Sequence, residues 1–130
     1  MAQALSDVDL KTITARSAAV VTAEYMSTGK DESYRFKVVQ VLWRDARMVA
    51  HPLTGTITVA PGFVALDDTY VLPTLLKYRF GKKELKAGER LIVFLALNQK
   101  THAWITTAEH SWEPIQNLEA VTGELRTQGR

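Results

Sequence analysis

Residues 90–97 read Arg-Leu-Ile-Val-Phe-Leu-Ala-Leu, seven apolar residues in a row after one charge. The run is too short for a membrane span, and Gly88 with Glu89 just before it and Asn98 just after it end it at the length of one strand. A strand with no polar side must be covered on both faces. The chain therefore needs a sheet with material above and below this strand.

The rest of the 130 residues supplies such a sheet. Residues 18–26 (AAVVTAEYM) read as a strand, and Gly29 lies in a turn of hairpin type. Residues 33–44 read as a second, long strand. Tyr34, Phe36 and Val38 share one face, but beyond them Val39, Val41 and Trp43 alternate with Gln40. One extra residue near Val38 and Val39 accounts for the slip, which is the mark of a β-bulge. Residues 55–60 (GTITVA) alternate cleanly, with Ile57 and Val59 inward. Residues 102–108 (HAWITTA) read as a last strand, with Trp104 in the core, and Pro114 stops any extension.

Helices are expected at both ends. Ser6 and Asp9 have capping-box-like spacing, with Leu5 and Leu10 placed for a hydrophobic staple, so a helix is expected over 7–15. Asn117 is placed to cap a C-terminal helix whose apolar stripe is Leu118, Val121 and Leu125. Residues 127–130 read as a frayed tail, and Trp112 as a clamp on the C-terminal helix. Residues 63–88 form a long insertion, with a short strand over 70–73 and a helical turn over 75–78. The expected architecture is mainly β with flanking helices: one domain over 1–130, a small five- to six-stranded OB-like barrel, partly open.

Chemistry is limited by composition. No cysteine is present, which removes disulfides, thiolate metal sites and a Cys nucleophile. His51, His102 and His110 have no metal-ligand spacing and read as strand-end or loop residues. None of the five serines lies in a G-x-S-x-G elbow. Asp67 and Asp68 are adjacent and so point apart. No phosphate-binding glycine loop occurs. No enzymatic role, no metal and no cofactor is expected. The N-terminus has neither a basic nor an apolar leader region, so a cytoplasmic chain is expected; a secreted or periplasmic chain trimmed of its leader reads the same.

Charge is uneven in one place. Residues 71–90 carry six basic residues against two acidic ones, although the whole chain is only +2. Lys77, Tyr78, Arg79, Lys82, Lys83 and Lys86 are candidate partner contacts there. Arg44 and Arg47 add a second candidate loop. A solvated basic loop with Tyr78 or Phe80 packed inward is the plainer reading.

Four stretches in order carry a resemblance. They are residues 17–24 followed by 34–44, then Gly55-Thr56-Ile57-Thr58-Val59, then residues 85–95 (LKAGERLIVFL). This order resembles the netrin-like, tissue-inhibitor-of-metalloproteinase-like OB-fold modules of bacterial proteins, over about 17–108. The cysteines of the animal members are absent, so inhibition by chelating a catalytic zinc does not carry over. The resemblance implies a fold and a binding habit. Two functions follow as expectations: a non-catalytic protein-binding module, of the immunity or inhibitor kind, that occludes a partner such as a bacterial toxin; and, as the alternative, single-stranded nucleic-acid binding through the basic, aromatic insertion.

Overall fold

The computed structural model describes residues 6–46, 53–60, 64–66, 69–71, 76–78, 84–98, 102–108 and 110–130. Among them the order is β1 (Ser6–Val8), α1 (Leu10–Arg16), β2 (Ala19–Thr28), β3 (Tyr34–Arg44), β4 (Thr56–Val59), β5 (Val64–Leu66), β6 (Thr69–Val71), β7 (Leu76–Tyr78), β8 (Arg90–Leu97), β9 (Trp104–Thr106), β10 (Trp112–Pro114) and α2 (Leu118–Thr127). The fold is mainly β with a short helix near the N-terminus and a second at the C-terminal end, as expected. Six strands form one antiparallel sheet, ordered β10-β8-β2-β3-β4 with β9 also on β8. The sheet is not closed. A single parallel bridge from Ala60 to Ile105 brings the end of β4 to β9, with Ala60 N–H donating to the Trp104 carbonyl at 3.0 Å.

The apolar run is the centre of this sheet. β8 pairs with β2 along Leu95 to Arg90, and its other edge is shared by β9 and β10. Its seven apolar residues are all buried, so both faces are covered. On the inner face Val21, Phe36, Val59, Val93, Trp104 and Trp112 form one core. On the outer face Val20, Ile92 and Phe94 meet Ile13 of α1, Val121 and Leu125 of α2, and Tyr78 of β7. Each such side chain contributes about 1.5–3 kcal/mol by leaving water. The stripe Leu118, Val121 and Leu125 does face the sheet.

Bending comes from bulges, three of them. Pairing skips Leu42 between Val20 and Val21, Val39 between Thr22 and Ala23, and Met26 between Phe36 and Arg35. The slip at Val39 agrees with the sequence. Val39 itself does not turn inward; it is 49% exposed. Leu42 and Trp43 both pack on the outer core, and Val38 and Val41 on the inner one. Every bulge thus adds its extra residue to the outer face, which lengthens that face relative to the inner one.

Several local expectations are corrected. α1 starts at Leu10, with Asp9 as its cap: the Asp9 carboxylate accepts from Thr12 N–H at 2.9 Å, and that bond holds its pKa below the usual range. Residues 6–8 are instead a strand, parallel to 76–78. That pairing also makes Leu76–Tyr78 extended where a helical turn was expected. The last strand is β10, not β9, and Pro114 ends it opposite Leu91. Asn117 precedes α2 without a side-chain cap bond; its amide donates to Glu113 at 3.1 Å. Trp112 packs on Tyr34, with ring centroids 4.9 Å apart, in the core away from α2. The tail is not frayed. Arg130 donates to the carbonyls of Ala15 and Ser17, and its guanidinium lies 4.0 Å over the Trp43 ring.

In the β2–β3 turn a side chain at position 29 would displace the Asp31 carboxylate. A Cβ on Gly29 would lie 2.8 Å from the Asp31 carboxylate. That carboxylate folds back to accept from the Ser33 backbone and hydroxyl, which holds the Asp31 pKa low.

Candidate interaction surface

The sequence-derived candidates separate into three environments. Tyr78 is not a contact residue. It is 1% exposed, its ring meets Phe94 edge-on at 5.4 Å, and its hydroxyl donates to Glu113 Oε2 at 2.8 Å. Lys86 is exposed in the turn before β8, where its N–H donates to the Glu89 carboxylate. That turn sits against Tyr25, towards the far end of β2. Arg44 is half-buried and pairs with Ala19, at the other end of the same strand. Six residues of β2 separate these two points, which is about 20 Å at ~3.4 Å per residue. The two do not form one patch. Lys77 is in register with Asp7 at the middle of β7. Arg47, Arg79, Lys82 and Lys83 lie outside the described residues.

Glu113 is the buried charge of this region and had no signal in the sequence beyond its neighbours His110 and Trp112. It is 4% exposed on β10. Burial raises its pKa, and the bonds from Tyr78 and Asn117 pull it back. Burial, with the bond to Glu113 and that carboxylate's charge, pushes the Tyr78 phenol well above its ordinary value, so it stays a donor. Both carboxylate oxygens are engaged by groups from other elements. The arrangement ties β7, β10 and the start of α2 together. It is a structural junction, with its polar groups turned towards one another.

The surface with outward chemistry is the outer face of the sheet beyond the helices. By register, Thr56 on β4, Lys37 on β3, Glu24 on β2 and Arg90 on β8 form one row across four strands. Thr58, Arg35 and Ser27 form the next. Arg35, Lys37, Thr56, Thr58 and Arg90 are exposed, and Glu24 is half-buried. Met26 and Val39, two of the three bulge residues, are the exposed large hydrophobic residues among those described, at 41% and 49%. The third, Leu42, is under the covered half. Sequence reasoning missed this surface because its attention went to the densest run of charge. Its one legible signal was the slip at Val39.

Among the described residues no group of His, Asp and Glu is arranged to hold a metal ion, and no helix is long and apolar enough to cross a membrane. Compared with known proteins, the chain matches no family model, and no curated protein matches it.

Proposed function

We propose that the chain is a non-catalytic protein-binding module, of the immunity or inhibitor kind, which acts by covering a partner's surface. The observation that carries this reading is the uncovered half of the sheet's outer face. There the bulges hold Met26 and Val39 in solvent among charged and hydroxyl side chains. Apolar contacts set in a polar surround are the composition of a protein interface.

The single-stranded nucleic-acid alternative asks for exposed rings on which bases stack. Among the described side chains every Phe, Tyr and Trp is buried or half-buried; of the two stacking candidates Tyr78 is in the core, and Phe80 lies outside the described residues. The protein reading is therefore preferred.

The test is affinity capture of the tagged protein from lysate of its own cells, with and without nuclease. A stoichiometric protein partner that survives nuclease is expected. Recovery of nucleic acid alone, lost at high salt, would replace the reading with the alternative.

A further inference from the structure

We propose that the open half of the outer face docks a carboxylate-rich segment of the partner protein that also carries an apolar side chain. This rests on the protein-binding reading and names what that surface is built to receive.

The charge count on the face supports it. Arg35, Lys37 and Arg90 point outward, against Glu24 on the face and Asp31 in the turn at its end. Glu24 sits in register between Lys37 and Arg90, and Arg35 faces the Asp31 carboxylate of the β2–β3 turn, so the three cations outnumber the two carboxylates by one. An anionic segment laid across the strands gains from this field, most at low salt. The apolar part follows from the bulges. Along the ladder Met26 lies between the rows of Arg35 and Lys37, and Val39 beyond Lys37, about 12 Å from Met26 at ~3.4 Å per residue. A basic or purely polar partner would leave them wet. The hydroxyls of Thr56 and Thr58 stand on the same face and suit carboxylate and backbone acceptors.

The test uses the full chain with the photo-cross-linker p-benzoylphenylalanine in place of Val39, or in place of Glu119, exposed on α2, as the control position. Cross-linking is done in the source cells, with nuclease digestion before the attached peptides are sequenced by mass spectrometry. From position 39 the expected product is a protein peptide with a clear excess of Asp and Glu. Arg35→Glu with Lys37→Glu should lower its yield at least tenfold, and the milder Lys37→Gln severalfold, with near-UV circular dichroism unchanged. Cross-linking only from position 119 would overturn the proposed surface while leaving a protein-binding module. An attached segment without acidic excess, or a yield indifferent to the charge changes, would overturn the acidic partner. Silence from both positions would remove the protein-binding reading itself.

Discussion

Replacing Tyr78 with Phe removes one oxygen from the core and keeps the ring that packs on Phe94. The loss falls on Glu113, whose Oε2 accepts from that hydroxyl at 2.8 Å and is left with an empty place in a buried site. A hydrogen bond to a charged group contributes about 1.5–3 kcal/mol, so a loss of about 2 kcal/mol is expected while Glu113 is ionised. In urea that is a midpoint lower by about 1 M with an unchanged slope. The pH dependence identifies the cause. Burial raises the folded pKa of Glu113 above its unfolded value. The stability linked to its protonation is therefore complete below the ordinary carboxylate range, about pH 4.3, and is lost as pH rises through the folded value. The phenol, pushed upward, stays protonated throughout. Tyr78→Phe should thus cost more as pH rises and the carboxylate ionises, and less as pH falls back towards the ordinary carboxylate range. Glu113→Gln should gain on the wild type as pH rises across the same window. A Tyr78→Phe penalty that is flat with pH, or that grows on acidification, would refute the junction as described.

Two further outcomes are expected. Arg130→Ala removes the guanidinium from the Trp43 ring and from two carbonyls, and should lower stability by about 1 kcal/mol and alter tryptophan emission; an unchanged spectrum and midpoint would show the contact to be inert. Glu32→Gly relieves a side-chain-bearing residue at φ 67° in the β2–β3 turn and should raise stability by about 1 kcal/mol in thermal unfolding; a decrease would mean that the side chain holds the turn.

What could be read from the residues was what short-range order determines. The run 91–97 announced a central strand, and Ile57 and Val59 alternated on a face that proved to be the core. The bulge at Val39 showed because a polar Gln40 follows it. The one at Leu42 was hidden, since Val41, Leu42 and Trp43 are all apolar and any phase fits them. The failures share a different cause. Residues 6–8 looked like the start of a helix and 75–78 like a helical turn, because each finds its partner about 70 positions away. Arg130 looked like tail for the same reason: its acceptors are Ala15 and Ser17. The Tyr78–Glu113 bond joins positions 35 apart and has no local pattern at all. The candidate surface was missed because cations on two strands far apart in the chain, β3 and β8, are gathered by register, not by sequence.

The interrupted edge of β8 has a consequence for how the molecule opens. β9 and β10 are two pieces of one edge, separated by residues 107–111, and the chain returns between them only through Phe94, whose N–H donates to the Ser111 carbonyl and whose own carbonyl receives the Ser111 hydroxyl and the Thr107 N–H. No single strand can peel from β8 and expose its centre. Freeing the Phe94 amide means parting β8 from the 107–111 crossover between its two short edge partners, and β2 guards the opposite side. The amides at the middle of β8 are therefore the slowest clock in the protein, exchanging only when the whole sheet lets go. The two-stranded pair β1–β7, held to that sheet through Tyr78, keeps a faster time of its own.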